Sequence, residues 1–322
     1  MQKAVITGGL GFVGSVLSDV LLQNGYTVKI LTRGGPKNPS SNPALEVVRV
    51  DYDDIAELAR ELEGAQLVFH LAAAIFAFNY EEFSRANTVL TENMVLAAGR
   101  TKSVESFVYL SSQAAAGPCE YKDNPKTEED TPSPVSDYGQ TKYNAESALK
   151  NLPDNMRRVI LRAPIVYGRD NAGASKLAAW VKRGLMVNAG GGADTHFNFI
   201  YVDDLAQALF TAAALPAANG GVFFVGENVS YSWGHFINSM ALAMGKARPF
   251  MITLPAPLLE IAAFTYENLA RIFKFAPALN YDKVKEASAK GHWVCNTGKW
   301  QALTGQEFIS LDEGLRKTFE NK

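Results

Sequence analysis

Met1-Gln2-Lys3-Ala4-Val5-Ile6-Thr7-Gly8-Gly9-Leu10-Gly11-Phe12-Val13-Gly14 opens the chain, and its reading decides the fold. Ala4-Val5-Ile6 is a short apolar run bounded by glycine, the pattern of a strand buried on both faces. Four glycines then turn the chain into a helix whose Phe12, Val13, Val16, Leu17, Val20 and Leu21 recur at helical spacing. Strand, glycine-rich turn and helix in that order build an anion site. Free N–H groups and the positive end of the helix dipole favour a pyrophosphate there. The glycines make the turn, let backbone approach the phosphates and let helix pack on strand. In this context Gly9-x-Gly11-x-x-Gly14 reads as a nucleotide-binding turn, with Gly8, Gly11, Phe12, Val13 and Gly14 as cofactor contacts.

Downstream, strands and helices alternate. Strands are expected at 26–31, 46–50, 67–70, 107–111 and 158–161, with helices at 55–62, 81–100 and 136–150. This rhythm predicts an α/β fold, a doubly wound parallel sheet whose ligands lie beyond the carboxyl ends of the strands. Residues 1–170 are expected to form this dinucleotide-binding unit, with 199–226 returning to it and 171–322 mainly binding substrate. The chain of 322 residues is long enough for this, and its net charge of −2, from 31 basic and 33 acidic residues, argues against nucleic acid as a partner. Two distant cysteines, Cys119 and Cys295, make neither a disulfide framework nor a metal cluster. No run of about 18 uncharged apolar residues suggests a membrane span. The short strand before the glycine turn lacks the apolar core of a signal peptide, so a cytoplasmic protein is expected.

The second strand ends Thr32-Arg33 where an NAD site usually carries Asp or Glu. Arg33, with Lys37 nearby, suits a 2′-phosphate, so NADP is favoured, with NAD possible if Arg33 is merely solvated. Asp51, beside Tyr52, either accepts from the adenine amino group or caps the helix after it. In His70-Leu71-Ala72-Ala73-Ala74, small residues let backbone lie against a flat cofactor, and His70 reads as structural rather than catalytic. Asn87 either packs helices or bonds backbone near the active site.

Ser111-Ser112 ends the fifth strand and Tyr138-Gly139-Gln140-Thr141-Lys142 lies on the following helix. Positions i and i+4 share a helix face, which places Lys142 beside the Tyr138 ring. A free tyrosine has a pKa of about 10, and an adjacent ammonium favours the phenolate. Tyr138 is then an acid/base, Lys142 its tuner and Ser112 the donor to a substrate oxygen. The same spacing recurs in Tyr281-x-x-x-Lys285 without a serine-bearing strand before it, and is expected to be a solvated pair.

In combination, Thr7-Gly8-x-x-Gly11-x-x-Gly14, His70-x-Ala72-Ala73, Ser111-Ser112, Tyr138-x-x-x-Lys142, Leu161–Gly168 and Tyr201–Ala206 resemble the extended short-chain dehydrogenase/reductase family, of NAD-dependent epimerase/dehydratase type. The resemblance implies a Rossmann-type sheet with a smaller C-terminal substrate-binding part. It implies catalytic Ser112, Tyr138 and Lys142, with Tyr138 and Lys142 also at the cofactor, and Pro164, Ile165 and Val166 along the nicotinamide end. Members often dimerise through the helix bearing the tyrosine, so a homodimer is an expectation. Ser112-x-x-x-Ala116-Gly117-Pro118 and Tyr121-Lys122 look most like the 3-beta-hydroxysteroid dehydrogenase and dihydroflavonol reductase branch. Ser112-Gln113-Ala114 lacks the Thr-Asp-Glu pattern of sugar-nucleotide dehydratases, and Arg162-Ala163 stands where many nucleotide-sugar enzymes carry Asn. The expected activity is hydride transfer between NADP(H) and an alcohol or carbonyl of a small, fairly apolar substrate. A nucleotide-sugar epimerase and a non-catalytic cofactor sensor are the alternatives. Residues 172–184 read as a helix and 189–194 as a pocket-edge or surface loop. The apolar stretch 254–275 reads as a helix over the pocket or as a membrane or partner surface.

Overall fold

Ala4 and Ile6 pack into one hydrophobic layer while Val5 packs into another, so the first strand is covered on both faces by the alternation of its side chains. The structure, a computed structural model, describes residues 2–34, 42–169, 171–189, 194–273 and 281–320. Lys37 and Gly190–Gly192 of the expected loop lie outside the described residues, as do 274 and 275.

The first half runs β1 (Lys3–Thr7), α1 (Phe12–Gln23), β2 (Thr27–Thr32), β3 (Leu45–Arg49), α2 (Ile55–Leu62), β4 (Leu67–His70), α3 (Tyr80–Ser84), α4 (Leu90–Arg100), β5 (Ser106–Ser112), α5 (Asp137–Ala148) and β6 (Arg157–Ala163). The second half continues β7 (Ile165–Tyr167), α6 (Ala172–Lys182), β8 (Leu185–Ala189), β9 (His196–Phe197), β10 (Phe199–Tyr201), α7 (Val202–Ala214), β11 (Val222–Phe224), β12 (Tyr231–Ser232), α8 (Trp233–Ala243), β13 (Phe250–Leu254), α9 (Ala256–Phe273), α10 (Tyr281–Ser288), α11 (Gly298–Thr304) and α12 (Leu311–Phe319).

Seven parallel strands form one sheet in the order β11-β6-β5-β4-β1-β2-β3. The order reverses between β1 and β4, which is where a crevice opens in such sheets. One face buries Leu17 and Leu21 of α1 against Leu205 and Leu209 of α7. The other buries Leu58 and Leu62 of α2, Met94 of α4 and Phe107 of β5. A separate core gathers Tyr167, Met186, Phe199, Phe236, Ile237 and Leu311 from the C-terminal elements.

The long helix expected at 81–100 is interrupted. Arg85–Val89 form a π-helical turn between α3 and α4. Such turns cluster at functional sites because the extra residue re-aims a side chain. Here the turn carries Asn87, whose side chain accepts from the Ala74 N–H at 2.8 Å and donates to the Ala74 carbonyl at 3.1 Å and to Thr141 Oγ1 at 3.1 Å. It clamps the segment after β4 to the helix that carries Tyr138.

Candidate active site

The glycine turn is shaped for close approach. Gly8 has φ +73°, and a Cβ there would sit 2.8 Å from the Ala72 nitrogen. A Cβ at Gly14 would lie 2.3 Å from the Gly8 carbonyl oxygen. Helix α1 starts at Gly11 without a side-chain cap, which leaves its first N–H groups for an anion. A cleft of about 370 Å³ lies against this turn, lined by Gly8, Gly11, Arg33, Tyr52 and Leu71–Ala73. An adjoining cleft of about 820 Å³ is lined by Arg33 and Asp51. These clefts lie at the reversal of strand order, and the cradle, the uncapped helix and the guanidinium fit a dinucleotide. Val13 is half-buried against the first hydrophobic layer, and the Phe12 ring lies beside Gly168. Gly14 is buried beneath the turn.

Asp51 does not cap the helix after it. Asp54 is the cap of α2, accepting from the Ala56 and Glu57 N–H groups at 2.9 Å each. Asp51 Oδ1 accepts from the Asp53 N–H at 2.9 Å, which fixes the turn. Tyr52 donates to the Leu31 carbonyl at 2.7 Å, and the Arg33 guanidinium lies 5.8 Å from its ring centroid. His70 is wholly buried, bonded to Thr7 Oγ1 at 2.6 Å and Thr91 Oγ1 at 2.9 Å, and burial lowers its pKa to about 3. It ties β1, β4 and α4 together as a neutral ring.

A third cavity, of about 680 Å³, brings Ser112, Tyr138, Pro164 and Ile165 together. Val187, Phe197, Trp233, Leu259 and Trp293 complete an apolar wall. Gln113 and Asn188 also border it; Gln113 Nε2 and both side-chain polar atoms of Asn188 are buried without a partner among the described residues. Val166 packs toward the first core layer rather than into the cavity. Burial pushes the Tyr138 phenol above the ordinary tyrosine value, Lys283 lowers it, Glu286 raises it, and the Ser112 contact lowers it.

Lys142, one helical turn from Tyr138, reaches into β5. It is buried, its Nζ donates to the Leu110 carbonyl at 2.7 Å, and it lies 4.1 Å from the Tyr109 ring centroid. Desolvation brings its pKa down to about 7, against the pull of Glu146. In the pair Tyr281-x-x-x-Lys285, Lys285 Nζ stands 4.9 Å from the Tyr281 ring centroid, and both side chains are half-buried rather than fully solvated. Helix α10 packs on the start of α5. Asp282 accepts from the Asp137 and Tyr138 N–H groups at 2.7 and 3.1 Å. Glu286 accepts from the Ser136 hydroxyl at 2.6 Å, and Ser136 in turn accepts from the Gly139 N–H at 3.0 Å. Lys283 stands 4.2 Å from the Tyr138 ring centroid and pairs with Glu286 at 2.7 Å. A charged helix about 140 residues from its target carries no local signal of this contact.

Helix α9 contributes Leu259 to the cavity and buries Ala263, Glu267 and Ala270. Leu258, Ile261, Phe264, Ile272 and Phe273 on it are exposed. It is therefore both a wall of the pocket and an apolar surface. No helix among the described residues is long and apolar enough to cross a membrane.

Residues 4–226 match the family model described as the NAD dependent epimerase/dehydratase family. The chain belongs to that family. It is thus an enzyme of the epimerase/dehydratase superfamily on an extended short-chain dehydrogenase/reductase fold. Protein y4nG of Sinorhizobium fredii is 34% identical over 217 residues, which cover 66% of this chain and 54% of that protein. The 2-alkyl-3-oxoalkanoate reductase of Stenotrophomonas maltophilia is 28% identical over 336 residues and covers 98% of each chain. The structure of UDP-glucuronic acid 4-epimerase from Bacillus cereus, with UDP-glucuronic acid and NAD, superposes with a TM-score of 0.77 at 21% identity, covering 99% of this chain and 98% of that one.

Proposed function

We propose that the chain is an NADP(H)-dependent dehydrogenase or reductase that interconverts an alcohol and a carbonyl on a small, fairly apolar substrate. The observation that carries this reading is the 680 Å³ cavity: Ser112 and Tyr138 share it with aromatic and aliphatic walls. Among its described lining residues the charged ones are Lys283 and Glu286, and these pair with each other. A nucleotide diphosphate carries charge that such a wall does not answer. The full-length relative named as a 2-alkyl-3-oxoalkanoate reductase supports the same chemistry.

A bound nicotinamide dinucleotide supplies or accepts the hydride. The chain's own residues do the rest. The turn at Gly8 and Gly11 and the start of α1 hold the pyrophosphate. Arg33, in the absence of an acid at the end of β2, makes a charge-assisted contact with a 2′-phosphate. Asp51 and Tyr52 border the adenosine end, Leu71–Ala73 and Asn87 shape the floor, and Pro164–Val166 and Lys142 serve the nicotinamide end. Ser112 donates to the substrate oxygen. Tyr138 gives that oxygen a proton in reduction and removes it in oxidation.

Replacing Tyr138 with Phe is expected to abolish turnover while NADPH still binds, measured by NADPH oxidation over a panel of apolar carbonyls and by cofactor titration. Undiminished turnover in that variant would overturn the assignment. Epimerisation instead would show as a cofactor that stays bound through purification, with no net consumption.

A further inference from the structure

We propose that Lys283 is a second cation, besides Lys142, that lowers the proton affinity of Tyr138, acting as a positioning residue through the phenol rather than on substrate. This rests on Tyr138 being the acid/base. Lys142 spends its ammonium on the Leu110 carbonyl and the Tyr109 ring. Lys283 puts its Nζ 4.2 Å from the Tyr138 ring centroid, and it lines the cavity that Tyr138 lines.

Lys283 is held in that place from both sides. Glu286, one turn on, fixes its Nζ at 2.7 Å. Asp282 fixes the whole helix by accepting the Asp137 and Tyr138 N–H groups, and Glu286 adds the Ser136 hydroxyl. Tyr138 and its electrostatic partner are therefore bolted to one another across α5 and α10. The side chain keeps 41% of its surface open, on the cavity side. Against the cost of desolvation, Glu286 and the phenol together hold its pKa above the ordinary lysine value, so it is charged across the neutral range. The groups that face Tyr138 are Tyr109 and Ser112 from β5, and Asp282, Lys283 and Glu286 from α10. Lys283 is the one that combines a persistent positive charge with a place at the ring. A cation within about 4–6 Å of an acid lowers its pKa by roughly 1–3 units. Glu286 works in the opposite sense on the phenol while restraining the lysine.

The test is a titration of tyrosinate by ultraviolet difference absorption, in protein saturated with NADP+, with Tyr138→Phe as the blank that isolates this phenol. Circular dichroism defines the pH range over which each protein is folded, and the ionised fraction is compared within it. Lys283→Met is expected to move Tyr138 ionisation up by on the order of one pH unit. Lys283→Arg should titrate with the wild type. Glu286→Gln keeps an acceptor for Ser136 and should move ionisation down. Opposite shifts in the Met and Gln variants are the signature, because general damage to α10 would move both alike. Coincident titration of Lys283→Met and wild type overturns the proposal, as do shifts of the same sign in the Met and Gln variants. If Lys283→Met does not fold, an unmoved Glu286→Gln curve overturns it. Turnover surviving in Tyr138→Phe would instead remove the underlying acid/base reading, which separates the two failures.

Discussion

His70 illustrates how a buried residue reports its role through pH. Its ring is neutral in the fold, with a pKa of about 3 against an ordinary 6.5, because burial disfavours the charged form. Unfolded chains bind a proton there below about pH 6.5, and the folded protein does not until pH 3 is approached. The stability it contributes is therefore complete above pH 6.5 and is lost as pH falls toward the folded value. The slope is at most about 1.4 kcal/mol per pH unit. Urea unfolding at pH 7 and pH 5 should show wild type losing stability on acidification and His70→Gln losing less; parallel losses would contradict a buried neutral His70. Gly14 is another residue whose identity is forced. A Cβ there meets the Gly8 oxygen at 2.3 Å and the Gly9 Cα at 2.6 Å, both backbone atoms that cannot swing aside. Gly14→Ala should cost about 1–3 kcal/mol and lower the Tm. It should also weaken NADP+ binding by about tenfold or more, measured by titration.

At the scale of elements, the sheet strands were legible because their residues are buried on both faces and read as continuous apolar runs. The helix at 55–62 and the strand at 67–70 fall where periodicity placed them. The π turn at Arg85–Val89 was not legible, since its extra residue leaves helical spacing almost intact while rotating Asn87 onto Ala74 and Thr141. Nor were β8 and β13, whose pairing joins residues about 65 apart and depends on a partner rather than on local pattern. Most side chains of helix α10 are charged or polar, and nothing local signals its partner. The helix is attached to α5 by those same charges, through hydrogen bonds to backbone N–H groups and a hydroxyl.

On the scale of the whole molecule, the clefts beside the glycine turn lie along the β1–β4 reversal and the apolar cavity with Ser112 and Tyr138 lies where β5, α5, β7 and the C-terminal elements meet. Anything that binds only the folded state raises its stability, by about 2.7 kcal/mol at a hundredfold excess over Kd. NADP+ should therefore raise the Tm more than NAD+ at equal concentration, and Arg33→Ser should erase the difference. Equal shifts in the wild type would refute the preference for NADP. The exposed apolar side of α9 is a second property of the whole chain, since it is set by which of its faces the pocket and α10 already occupy.

By itself the sequence determined the parallel sheet, the glycine cradle and the order of Ser112, Tyr138 and Lys142, because each is written in residues close together or in a periodicity that burial enforces. Tertiary structure alone decided which ammonium meets which ring. The i, i+4 rule brings two side chains to one face of a helix, but it does not fix where a long lysine ends, and Lys142 ends at the carbonyl of Leu110. The place beside Tyr138 is filled by Lys283, held there by contacts that no local spacing encodes.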